Sequence, residues 1–288
     1  MSKRVSYSQY AMWAKCPHMW KLNYIDKLKE FHGNIHTIFG TSMHEVIQTY
    51  LTTMYTKTVK EADLIPLDEL LQERLKVNYN EVKESSGDEP CTKDDLTEFY
   101  YDGLKIIDFL KKNRGNYFSK KGYELLGIEV ELDFNLPNNL KYTGYLDIVL
   151  RDNFDNRIKI IDIKTSTNGW NKWVKKDKLK SDQLLLYKQF YSKQYDLPMD
   201  RIDVEFFIVK RKLYENCDWP QKRVQLFTPS SGTVSINKVL KTLKEFIEDG
   251  FTDTGEHRTD HIFEKKPSTK NCKWCDFKDK PDLCDRNV

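Results

Sequence analysis

The chain has 288 residues, 39% of them hydrophobic and 13% aromatic, which is enough for a packed interior without disulfides. Only 12 Gly and 9 Pro exclude collagen-like and long disordered classes, and no run of ~18 apolar residues is present to predict a membrane-spanning helix. Lys and Arg exceed Asp and Glu by 47 to 44, but residues 60–108 hold 14 acidic and 6 basic side chains, so the remainder is net +11. That balance suits a polyanionic partner, and equally a solvated acidic region among ordinary surface lysines.

The N-terminus, MSKRVSYSQY, lacks an apolar signal core, so a cytoplasmic location is expected. The cysteines Cys16, Cys91, Cys217, Cys272, Cys275 and Cys284 are then expected as thiols or metal ligands. In chain order, residues 6–28 predict a helix capped by Ser6 or Ser8, with aromatic residues at helical spacing. A second helix is expected over 37–56, starting near Thr41 or Ser42, with Glu45 completing a capping box. Residues 60–112 read as two acidic helices around the loop 84–90.

The pattern changes at residue 123. Strands are expected at 123–136, 141–151 and 157–166, with turns at 136–139 and 152–156. A helix follows at 179–195, a strand at 202–214 and an amphipathic helix at 234–251, before a cysteine-rich tail at 271–288. The expected divisions are 1–56, N-terminal helices; 57–120, an acidic helical insertion; 121–214, a core; and 215–288, a last helix and tail.

The chemistry concentrates in 144–164. Asp147 lies in GYLDIV, and Asp162 and Lys164 lie in IIDIKT, on strands joined by a short turn. Residues i and i+2 of a strand share a face, so Asp162 and Lys164 project together and Asp147 can join them. Two carboxylates in apolar strands are costly unless they are paired or hold a cation. Mg²⁺ takes a few carboxylates plus waters and phosphate oxygens, and a lysine can offset charge developing on a phosphate. This suggests metal-assisted phosphodiester hydrolysis; a surface Asp–Lys pair is the plainer alternative.

G-x-x-D followed by D-x-K resembles the PD-(D/E)xK nuclease core, and more narrowly the RecB-type nuclease domain. Three further segments resemble that family's motifs: FGTSMHEVIQTYL, QLLLYKQFY and SYSQYAMWAKCPHMWKLNYI. The resemblance spans residues 6–56 and 123–288. It implies an α/β, restriction-endonuclease-like core, a mixed central sheet flanked by helices, with 57–120 as a variable insertion. It further implies a divalent cation, Mg²⁺ or Mn²⁺, on His44, Asp147 and Asp162. Lys164 would assist the attacking water, and Gln183 and Tyr187 would steady the site or touch the DNA backbone. Glu129 or Glu131 on the first strand could approach the metal. The bland readings are a core histidine at 44 and ordinary packing at 183 and 187.

The tail reads Cys272-Lys-Trp-Cys275 with Cys284 beyond, a metal-site spacing that needs a fourth ligand, for which Cys16 is a candidate. In the resembled AddB and CRISPR adaptation nucleases, one N-terminal and three C-terminal cysteines hold a [4Fe–4S] cluster. The resemblance implies the same here, stapling the N- and C-terminal regions. Zinc is the runner-up, with His257 and His261 upstream. Free thiols are the plainest option, and Cys91 and Cys217 are read so.

NGWNKWVKKDKLK (168–180) follows the D-x-K strand. Trp170, Lys172, Trp173, Lys175 and Lys176 are expected to contact DNA, since lysines hold phosphates and aromatics stack on unpaired bases. Residues 111–121 and Lys210, Arg211 and Lys212 are further basic clusters. A base-reading motif is not evident, so contact without sequence specificity is expected. A P-loop is also missing, so unwinding would need a separate helicase or recombination protein. The function expected is a DNA exonuclease acting on single-stranded ends in recombination, repair or replication. The alternatives are a structure-selective endonuclease on the same fold, or a non-catalytic DNA-binding subunit.

Overall fold

The computed structural model describes residues 3–28 and 33–285. Among them, one mixed sheet of six strands runs β1–β3–β4–β5–β6, with β2 also paired to β3. The strands are β1 (Lys3–Val5), β2 (Tyr123–Leu136), β3 (Leu140–Asp152), β4 (Ile158–Ser166), β5 (Ile202–Lys210) and β6 (Val224–Phe227). β2, β3 and β4 form an antiparallel meander, β5 lies parallel to β4 through a helical crossover, and β6 closes the edge antiparallel. The crossover helix is α8 (Lys178–Gln194), preceded by a single turn, α7 (Lys172–Lys175).

The expected helix at 6–28 is two helices, α1 (Tyr7–Lys15) and α2 (Pro17–Tyr24). Between them Cys16 is extended, at φ −161° and ψ 107°. A residue before proline is driven out of the helical region by the ring, which accounts for the break. The helix expected from residue 37 is α3 (Ile35–Thr56), begun by Asn34, whose side chain accepts from His36 N and Thr37 N. Ser42 therefore caps nothing; it is buried and donates to Ile38 O at 2.9 Å.

The acidic region contains α4 (Val59–Asp63), α5 (Leu67–Ser86) and α6 (Lys93–Asn113). Gly87 ends α5 in the left-handed conformation, and a Thr92–Asp95 capping box starts α6. One expected strand stops short, β5 at Lys210 rather than 214, and two observed strands, β1 and β6, are not expected from the sequence. Both missed strands are three or four residues long and owe their conformation to β3 and β5.

Apolar residues fill both faces of the sheet. On one face α1, α2, α8 and α9 (Thr233–Gly250) bury Tyr10, Trp20, Leu184, Phe190 and Phe246 with Tyr142 and Phe206. On the other, α3, α5 and α6 bury Phe39, Met43, Leu71 and Ile106 with Ile148, Ile161 and Phe207. The helices of the acidic region thus share a core with β3, β4 and β5. No helix among the described residues is long and apolar enough to cross a membrane.

Candidate active site

β3 and β4 are paired only from Arg151–Ile158 to Ile148–Ile161. Beyond that pair the strands part, and the next residue on each is an aspartate, Asp147 and Asp162. The fork opens toward α3. The alternation of side chains also slips here. Leu146 packs in one core and Ile148 in the other, and on β2 Val130 and Ile128 divide the same way. Between the latter two, Glu129 takes a left-handed φ of 49°. That conformation is uncommon for a non-glycine residue and clusters at functional sites.

The carboxylates are held from several directions. Asp147 Oδ2 accepts from the Ile163 amide at 2.6 Å and stands 3.6 Å from His44 Nδ1. Asp162 is almost fully buried, and its Oδ2 lies 2.7 Å from Lys164 Nζ. Glu129 Oε1 accepts from Gln48 Nε2 at 2.5 Å, and the same nitrogen is 3.3 Å from Asp147 O. A cleft of about 550 Å³ opens on this cluster, lined by His44, Glu45, Gln48, Glu129 and Lys164. Gly40 lets α3 approach β4 here: a Cβ there would meet Thr165 Oγ1 at 3.3 Å.

Charge is poorly balanced in this cluster. Burial, and then the neighbouring Asp162, push Asp147 well above the usual carboxylate range. Burial also raises Asp162, although Lys164 opposes it. Burial pulls Lys164 down, but Asp162 and Asp147 outweigh it and keep the ammonium charged. His44 is pushed down to about 4 by burial and by Lys164, so its imidazole is neutral at pH 7 and keeps a nitrogen lone pair suited to a cation.

Two buried carboxylates and a neutral imidazole facing one lysine suit a hard or borderline divalent cation. Among the described residues no three His, Cys, Asp or Glu side chains are already spaced around one ion. Lys164 stands on Asp162 instead. Gln183 Nε2 donates to Tyr187 Oη at 3.1 Å, and the Tyr187 ring packs over Gly144 where any Cβ would come within 3.0 Å. Tyr187 is buried, and the fields of Asp162, Asp147 and Glu129 reach it.

The structure therefore gathers His44, Asp147, Asp162, Lys164, Gln183 and Tyr187 around the fork. It separates Glu131, whose carboxylate is 3.5 Å from Tyr145 Oη. Sequence reasoning missed Gln48. Its one signal is a polar side chain one turn after His44, on the polar side of α3 that also carries Thr37, Thr41 and Glu45.

Among the basic segments, Trp170 turns inward against Phe206 and Phe227, at ring distances of 4.9 and 6.1 Å. Trp173 is 69% exposed, with Lys172 and Lys176 ammonium groups 5.1 and 6.0 Å from its ring centre. Lys175 lies over Phe227 at 5.7 Å. Arg211 and Lys212 do not face solvent as an isolated cluster: both bind Asp102 of α6, at 2.7 and 2.9 Å.

Cys16, Cys272, Cys275 and Cys284 line one cavity with His18, Met19 and Phe277. Cys16 Sγ accepts from Lys266 N at 3.5 Å, and the His18 ring meets Leu283 O at 2.9 Å. Burial raises the Cys275 and Cys284 thiols, and the other cysteines of the cavity add to the rise. His257 and His261 do not reach this cavity. His257 packs on Trp20 and Phe251, and His261 bonds Asp249 at 2.7 Å.

A mixed sheet covered by helices on both faces, with a carboxylate fork beside a lysine, defines a restriction-endonuclease-like fold. The model of the PD-(D/E)XK nuclease superfamily matches residues 4–280, and the chain belongs to that superfamily. Its members are nucleases, typically served by Mg²⁺ or Mn²⁺, so nucleic acid is the class of substrate. No curated protein matches the chain. Eighteen chains of solved structures do. One, the crystal structure of SSO0001, is 13% identical, with 94% of this chain and 93% of that one covered at a TM-score of 0.32.

Proposed function

We propose that the protein is a divalent-cation-dependent deoxyribonuclease that shortens single strands from an end, without sequence preference. The observation that supports this best is the fork itself: Asp147 and Asp162 sit at the parting of β3 and β4, with His44 and Lys164 closing around them. His44, Asp147 and Asp162 would hold the cation. When bound, it supplies Lewis-acid polarisation of the phosphate and lowers the pKa of a water. The Ile163 amide fixes the rotamer of Asp147. Lys164, charged and 2.7 Å from Asp162, would offset charge on a phosphate oxygen or orient the water. Gln183 and Tyr187 brace the fork from α8.

We infer further that Cys16, Cys272, Cys275 and Cys284, which share one cavity, would hold a [4Fe–4S] cluster. Those four residues line one cavity, while His257 and His261, on which a mixed cysteine–histidine zinc site would draw, lie elsewhere. We read it as structural. A separate helicase or recombination protein would supply ends in recombination, repair or replication, and 57–120 is a helical insertion packed on α3.

The test is digestion of linear and circular single-stranded DNA with Mg²⁺ or Mn²⁺, by protein purified without oxygen, beside Asp162→Ala. Loss of linear strands alone, abolished by the substitution, is the expected result. Cutting of circles moves the reading to an endonuclease. Absence of metal-dependent cutting, with the visible absorption of the cluster intact, overturns it in favour of a binding subunit.

A further inference from the structure

The geometry points to a second single-strand contact on the cysteine-bearing tail: Trp274 is a base-stacking platform, continuous with the Trp173 loop and flanked by Lys270 and Lys273. This rests on the nuclease reading and adds a surface that neither fold nor family assigns.

The contact between the two segments is explicit. Asp177 caps α8 through Oδ1, which accepts from Leu179 N at 3.3 Å, while its Oδ2 lies 3.3 Å from Lys270 Nζ. Lys270 belongs to the single turn α10 (Thr269–Cys272), so that bridge sets 172–177 beside 269–275. Asp177 is the only carboxylate in 168–180, and Lys270 neutralises it. The joined surface therefore shows a strand the ammonium groups of Lys172, Lys175, Lys176 and Lys273, with the exposed Asp276 as the next carboxylate along the tail.

Both segments carry the same device. Trp274 is 79% exposed, with Lys273 Nζ 5.2 Å from its ring centre, much as Lys172 stands over Trp173. Leaving an indole in water costs free energy, and no ring among the described residues packs on either of these two. An unpaired base offers a flat partner, and lysines beside it can reach the neighbouring phosphates. A duplex offers no free base face. Trp274 also lies between Cys272 and Cys275 yet lines no part of their cavity, so its loss leaves that wall intact.

The test uses the full chain, purified without oxygen and silenced by Asp162→Ala. Binding is measured by fluorescence anisotropy to a labelled oligothymidylate, to an abasic strand of the same length, and to a duplex. Adding Trp274→Ala should weaken oligothymidylate binding roughly 5- to 150-fold, from ~1–3 kcal/mol per stacked base. Abasic and duplex binding should change less than about twofold, and Trp274→Phe should recover most of the loss. Iron content and circular dichroism verify that each variant is folded. An equal loss on the abasic strand, or an unchanged affinity for oligothymidylate, overturns the platform. Cutting by the parent chain is assayed separately. If the parent cuts and Trp274→Ala binds normally, only the platform falls; if the parent neither cuts nor binds any strand, both readings fall.

Discussion

The Asp147 carboxylate accepts from the Ile163 amide at 2.6 Å, so a side chain supplies the acceptor that a neighbouring strand would provide had β3 and β4 stayed paired. The fork is thus held open by the same group that is placed to bind a cation. Asparagine keeps the amide's acceptor and removes the charge. Asp147→Asn should stabilise the cation-free chain by about 1 kcal/mol, as other relieved active-site strains do, while abolishing cutting. Asp147→Ala should destabilise it, since Ile163 N loses its partner. Thermal melts of both variants decide the matter; a lower melting temperature for the asparagine variant refutes the charge argument.

Among the described residues, Lys164 is the one cation paired with the two buried carboxylates. Lys164→Ala should lower cutting by roughly 10²–10³-fold, the scale of losing one preorganised charge, with strand binding little altered. EDTA should stop the parent enzyme, and added Mg²⁺ should restore it. A Lys164→Ala protein that cuts normally would show that the lysine only neutralises Asp162.

Asp102 on α6 is buried and receives both Arg211 and Lys212 from the end of β5, and the Arg211 guanidinium lies 3.9 Å from the Phe99 ring centre. Asp102→Ala leaves that guanidinium without its buried partner. The expected cost is roughly 3–5 kcal/mol by urea unfolding. A cost under 1 kcal/mol, about that of a surface ion pair, would mean that α6 does not depend on this clamp.

Trp20 is fully buried, with Phe246, Phe251, His257 and Phe263 rings between 5.1 and 5.7 Å of it. Trp20→Ala should cost roughly 3–5 kcal/mol and release α2 from α9. Circular dichroism during denaturation reads this directly.

His257 in that cluster has its pKa lowered by burial and then by Lys3. The unfolded chain titrates near 6.5 and the folded chain lower, so below that value the unfolded state binds more protons. The contribution of His257 to stability is therefore complete above pH 6.5 and declines as pH falls through the window beneath it. His257→Gln should flatten that decline; an unchanged slope would assign it to other groups.

The long strands were legible because 123–166 carries apolar residues at a spacing only a sheet satisfies. β1 and β6 were not, since three or four residues hold no period of their own. Cys16 before Pro17 carried a local signal for the break that the aromatic spacing of 6–28 overrode. In the site, Asp147, Asp162 and Lys164 stood out as charges inside apolar strands. Gln48 and the role of Glu129 did not. The slip in alternation at Glu129 breaks the two-residue period that assigns a strand residue to a face, and only the packed sheet reveals which way it turns.

The tail also returns to the first helices. Asn271 donates to Lys15 O across 256 positions, and His18 meets Leu283 O across 265. Contacts so distant along the sequence form slowly, because the long loop between them must close first. The fork is built on strand pairs between near neighbours in sequence, β2 with β3 and β3 with β4. The cysteine cavity is therefore the late-forming part of the fold, and the fork an early one.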